Sequence, residues 1–249
     1  MNDEIVATAA AIRAQRYADC SALFVAGSLI RGEGTAHSDL DLVVIFPALN
    51  RAYRESFKFG RYPVEAFVHD PETLEYFFVE IDRPSGIPAL PQMVAEGIEV
   101  PEPTEFSVTL KRRARAVLAS GPPALDSEAE ARLRYLVTDT LNDLRDARSY
   151  EELLGTGSQL FEMLANYYFR SRGLWSVRGK AIPRGLMRAD PVLGAAYRRA
   201  FEDLFKTGEP NQVIALAEDL LRDRGGPLFD GYKADAPAEW RSPHRGTIV

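Results

Sequence analysis

Cysteine is nearly absent: Cys20 stands alone in 249 residues, so no disulfide can close within the chain. Histidine is almost as scarce. Three scattered imidazoles (His37, His69, His244) and one thiol cannot assemble a zinc site of ordinary ligand spacing, so any metal must be held by oxygen. No stretch approaches eighteen consecutive apolar residues, which argues against a membrane-spanning helix. The opening MNDEIVATAAAIRAQ has neither the basic start nor the apolar middle of a secretory signal, and the expectation is a cytoplasmic protein. Basic charge is in deficit, 30 Lys and Arg against 36 Asp and Glu, for a net charge of −6. A general nucleic-acid binder would be basic, so a neutral or cationic small partner fits better. The run Lys111-Arg112-Arg113-Ala114-Arg115 is accordingly read as the solvated face of a helix.

Apolar residues make up 46% of the chain, enough for one large core or two modest ones, and local pattern must decide between them. From Asp3 to about Tyr17, Ile5, Ala9, Ile12 and Ala18 recur at helical spacing, with Asn2 or Asp3 available as the cap. Two short apolar runs, Ala22 to Ala26 and Leu40 to Phe46, are expected as strands, and Val64 to His69 as a third after the turn Gly60-Arg61-Tyr62-Pro63. A Pro-rich stretch covers 83–103, and helical spacing returns from Glu105 to Ala119. Ser120-Gly121-Pro122-Pro123 then breaks the pattern and marks a boundary between domains at 1–121 and 122–249. Ser127 with Glu130 has the form of a capping box opening a helix to about Tyr150. Further helical patterns cover Gln159 to Arg172, Asp190 to Phe205 and Asn211 to Arg224, within which Tyr167, Tyr168 and Phe169 are packing residues. The last twenty or so residues carry no periodicity and suggest a tail on the surface.

The informative constellation is Gly27-Ser28, a ten-residue loop, Asp39-Leu40-Asp41, and Glu65 on the next expected strand. Side chains two apart on a strand share a face, so Asp39 and Asp41 present two carboxylates side by side. Such a pair repels unless a cation neutralises it, and Mg²⁺ prefers carboxylates together with phosphates and water. Glu65 can turn toward the same metal or serve as general base to an acceptor hydroxyl, with Asp70 the competing acid nearby. Gly27 allows close approach of backbone to a polyphosphate, Ser28 offers amide and hydroxyl to phosphate oxygens, Gly32 and Gly34 keep the loop permissive, and Arg31 is a candidate phosphate partner. His37 is a loop residue beside Ser38.

At these residues, AGSLIRGEGTAHSDLDLVVIF with VEAFVHD, the chain resembles the nucleotidyltransferase superfamily. Trp175 to Pro183 (WSVRGKAIP) is similar to the segment that the streptomycin/spectinomycin-type aminoglycoside adenylyltransferases place opposite the nucleotide. The resemblance implies an α/β N-terminal nucleotidyltransferase (polymerase beta-like) domain with a mixed sheet, and an all-α C-terminal bundle closing the cleft. It implies Mg²⁺ held by Asp39, Asp41 and Glu65, Glu65 as base, and Ser28, Ser38 and Lys180 at the phosphates of ATP. The partners it implies are ATP and a small-molecule acceptor, an aminoglycoside leading. Trp175, Asp139, Asp143 and Glu162 are candidates to line a pocket for a cationic ligand, and equally candidates for plain surface and core residues. Two rival readings stand beside this one: AMP transfer to a protein partner, and a non-catalytic nucleotide-binding regulatory module.

Overall fold

The computed structural model describes residues 2–35, 37–237 and 240. They form two compact units, Met1–Pro123 with Gly173–Trp175, and Ala124–Arg172 with Ser176–Val249. Among the described residues, no helix is long and apolar enough to cross a membrane.

The first unit is built on a five-stranded mixed sheet. Its strands are β1 (Ala22–Ala26), β2 (Leu40–Ile45), β3 (Tyr53–Phe59), β4 (Tyr62–His69) and β5 (Ile98–Glu99), in the order β3-β4-β2-β1-β5. β2 runs antiparallel to β1 and parallel to β4; β3 and β5 close the two edges antiparallel to their neighbours. The sheet separates two apolar layers. Leu23, Val25, Leu40, Leu42, Val44, Val64, Ala66 and Val68 pack with Ile5, Ala9 and Ile12 of α1 (Asn2–Arg16). Phe24, Val43 and Ile45, on the alternate positions, pack on the other side. The helices there are α2 (Pro71–Tyr76), a π-helical turn Phe77–Asp82, the short α3 (Arg83–Ser85), α4 (Ala89–Glu96) and α5 (Glu105–Ser120). Covered on both faces, β2 is apolar almost throughout, and each fully buried Leu, Ile or Val contributes roughly 1.5–3 kcal/mol. Asp41 is its one residue that is not buried.

Several expectations need correction. Ala18 lies past the end of α1 and is exposed; Tyr17 is the buried residue there. The Pro-rich stretch carries α3, α4 and β5, because Pro84 occupies a helix's first turn, where its missing N–H costs no hydrogen bond. β3 was not anticipated: from Arg54 on, YRESFKF alternates exposed polar with half-buried residues, the composition of a protected edge strand.

The second unit is helical: α6 (Ser127–Arg145), α7 (Tyr150–Ser171), a 3₁₀ turn at Gly179–Ala181, α8 (Ile182–Ala189), α9 (Pro191–Thr207) and α10 (Asn211–Arg222). Its core gathers Leu141, Leu160, Leu164, Tyr167, Tyr197, Phe201 and Val213 among others. The cap of α6 is Asp126, whose carboxylate accepts from the Ala129 amide, and Ser127 is already helical. α7 begins nine residues before its expected start and runs through Gly155 and Gly157. Gly157 is there for close approach, since a Cβ would meet Leu204 Cδ2 at 2.7 Å. After α10 the chain packs along α6: the Leu228 amide donates to Thr138 Oγ1 (3.0 Å) and Tyr232 stacks on Tyr135. The remainder of the expected tail, residues 238, 239 and 241–249, lies outside the described residues.

Candidate metal centre

The parallel pairing of β2 with β4 sets Asp41 directly across from Glu65. Asp39 stands two residues before Asp41, immediately ahead of β2, and the strand alternation continued back to it puts it on the side that Asp41 takes. The three carboxylates each bring an oxygen within 4.8 Å of the others, and all three side chains are half-buried. Bare charges at that separation repel by on the order of 3 kcal/mol per pair before solvent screening, at an effective dielectric near 20. A divalent cation removes that cost, and a donor set made only of carboxylate oxygens suits Mg²⁺.

The backbone makes room for the cluster. Gly27 follows β1, which pairs Ala26 with Asp41, and it takes a left-handed φ of 81°. A Cβ at Gly27 would fall 1.8 Å from Asp41 Oδ2, so only glycine leaves this carboxylate its place. Beyond it the loop folds into a turn, with the Glu33 amide donating to the Ser28 carbonyl (2.9 Å) and Leu29 buried as its anchor. Gly32 has φ of 73°, whereas at Gly34 the limit is steric: a Cβ would meet Leu29 Cδ2 at 2.5 Å.

The other expected site residues are distributed differently. Ser28 sits half-buried at the start of the loop. Arg31 is held by two acids, Glu33 (3.3 Å) and Glu96 (3.6 Å). Ser38 Oγ accepts from the Thr35 amide at 2.8 Å, and Ser38 lines a cavity of about 510 Å³ with Ile5, Leu29 and Tyr62, whose lining includes none of the three acids. His37 is exposed in the same turn. Asp70 is occupied elsewhere: it caps α2, accepting from the Thr73 and Leu49 amides (2.8 and 2.9 Å). The bond from the Thr73 amide is the main reason its carboxyl is held below the usual range. Lys180 belongs to the second unit, exposed in the 3₁₀ turn. Two of the candidate acceptor-pocket residues find local partners: Trp175 Nε1 donates to the Leu118 carbonyl (2.8 Å) within the first unit, and Glu162 accepts from the Gly179 amide (3.2 Å) within the second. In the basic run of α5, Arg112, Arg113 and Arg115 are exposed, as expected of a solvated helix face, and Arg113 forms a two-pronged bond with Glu75; Lys111 departs from that expectation, half-buried against the buried Glu99.

One residue at this centre went unnoticed in the sequence. Arg54, on β3, donates from Nη2 to Glu65 Oε1, and its guanidinium lies over the Phe67 ring, 4.8 Å from the centroid. With β3 itself unrecognised, nothing in the local pattern tied Arg54 to Glu65.

A mixed sheet carrying three convergent carboxylates, with a glycine turn beside them, defines an oxygen-ligand centre able to hold a divalent cation. No family model and no curated protein matches the chain. Among solved structures it is similar to a nucleotidyltransferase-like protein from Exiguobacterium sibiricum 255-15, at 13% identity and a TM-score of 0.43, over 88% of this chain and 75% of that one. At that level the similarity carries no functional conclusion.

Proposed function

We propose that the chain is a Mg²⁺-dependent nucleotidyltransferase that moves AMP from ATP to a hydroxyl of a small molecule, with an aminoglycoside as the leading acceptor. The observation that carries this reading is the convergence of Asp39, Asp41 and Glu65 beside the glycine turn that opens at Gly27. Asp39 and Asp41 hold the cation, and Glu65 completes the ligand set and is the candidate base. Mg²⁺ bound there supplies neutralising charge to the triphosphate and to departing pyrophosphate. Ser28 offers its amide and hydroxyl to the terminal phosphates, and Lys180, by the resemblance, supplies an ammonium to them. The acceptor oxygen forms its bond to the α-phosphorus as the bond to the α–β bridging oxygen breaks. Pyrophosphate leaves with that electron pair, and the hydroxyl proton passes to the Glu65 carboxylate. Within this reading the first unit is the catalytic domain and the second a helical domain.

The test is pyrophosphate release from ATP and Mg²⁺ across a panel of aminoglycosides. Wild type is expected to release pyrophosphate only when an acceptor is present, and Asp41→Ala to lower the rate at least 100-fold, a loss on the scale of removing a main electrostatic group. Silence across the panel together with MgATP binding would redirect the reading to a protein acceptor or a regulatory module.

A further inference from the structure

We propose that Arg54 is the positioning residue of the metal centre, holding Glu65 in the orientation that lets it join Asp39 and Asp41; the assignment rests on the metal reading above. Strand register places Ser56 across from Glu65 and Arg54 across from Phe67. Residues two apart on a strand share a face, so Arg54 on β3 and Glu65 and Phe67 on β4 stand together on one side of the sheet. Glu65 is therefore the diagonal neighbour of Arg54, within range of a long side chain. The guanidinium uses both neighbours at once. Its face rests on the Phe67 ring and its Nη2 donates to Glu65 Oε1, a single bond to one of the two carboxylate oxygens.

The arrangement suits arginine because a planar guanidinium can stack on a ring and bond a carboxylate in the same pose, which an ammonium does less well. Its contribution to fold stability is small, since the Arg54 side chain is 56% exposed and exposed ion pairs contribute little. What it supplies is orientation: a glutamate free to rotate would have to be ordered each time a cation bound. Hydrogen-bond partners of metal-ligating carboxylates act in this way and typically govern 10- to 100-fold in metal affinity.

The sign of the effect separates positioning from plain charge. Removing a cation beside a metal site should tighten metal binding if charge alone matters, whereas loss of positioning should weaken it. The test titrates Mn²⁺ alone into the full-length protein and reads free Mn²⁺ by electron paramagnetic resonance. Arg54→Ala is expected to weaken binding about 10- to 100-fold. Arg54→Lys should recover part of the loss, and Arg54→Ala should add nothing further in a Glu65→Gln background. Unchanged or tighter Mn²⁺ binding by Arg54→Ala, with wild-type binding intact, overturns the Arg54 assignment alone. Absence of Mn²⁺ binding by wild type, or equal binding by Asp41→Ala, overturns the metal centre and the assignment with it.

Discussion

Gly27 shows how much one missing side chain can decide. Its φ of 81° lies where an L side chain is strained by about 1–3 kcal/mol, and the added Cβ would land on Asp41 Oδ2. Gly27→Ala is therefore expected to displace Asp41 and to weaken Mn²⁺ binding in the same titration, with a loss of unfolding free energy on the order of 2 kcal/mol. His69 presents a different constraint. It is buried at the end of β4, its Nδ1 has no hydrogen-bond partner among the described residues, and its ring meets Phe77 edge-on. Burial pushes its pKa down to about 4 from the usual 6.5, against a smaller opposite effect of Asp70. The folded state thus favours neutral imidazole. The stabilisation is fully present above pH 6.5 and is lost as pH falls from there through 4, because the unfolded chain takes up the proton first. In urea titrations across that window, wild type should lose up to about 1.4 kcal/mol more per pH unit than His69→Phe. Equal slopes would mean that His69 is not buried neutral.

At the scale of elements, caps and register matter more than intrinsic preference. The N-terminus of α6 could have been closed by Ser127 or by Asp126, and the structure assigns it to Asp126. Asp126→Ala should accordingly cost about 1 kcal/mol in urea unfolding, and Ser127→Ala less than about 0.5 kcal/mol. The reverse order would return the cap to Ser127. β1, β2 and β4 were legible because apolar runs bounded by Gly, Ser and Pro leave few alternatives. β3 was not, because an edge strand carrying Arg54, Glu55 and Lys58 has the composition of a loop, and only its pairing with β4 makes it a strand. The early part of α7 was hidden in the same way. Gly155 and Gly157 look like a break, and the close packing of Gly157 against Leu204 becomes visible only with α9 in place.

For the whole molecule, the acidic centre trades repulsion against binding. A cation bound to the folded chain and not to the unfolded one adds stability as RT ln(1 + [L]/Kd), about 2.7 kcal/mol at 100 times Kd. Saturating Mg²⁺ should therefore raise the Tm of wild type by several degrees and leave that of Asp41→Ala nearly unmoved. Equal Mg²⁺ shifts in both proteins would show that the cation acts elsewhere.

The sequence by itself determined the alternation that puts Asp39 and Asp41 on one face, the glycine beside them, and the apolar runs that become β1, β2 and β4. These are local consequences of strand period and backbone sterics, legible without knowing what lies across the sheet. Tertiary structure alone decided that Glu65 stands in register with Asp41, that Asp70 is spent on a helix cap, that the guanidinium of Arg31 is held by Glu33 and Glu96, and that Arg54 holds Glu65. Each of these depends on which strand or helix lies alongside, and pairing between distant segments is set by the packing of the whole core rather than by the pattern of any one segment.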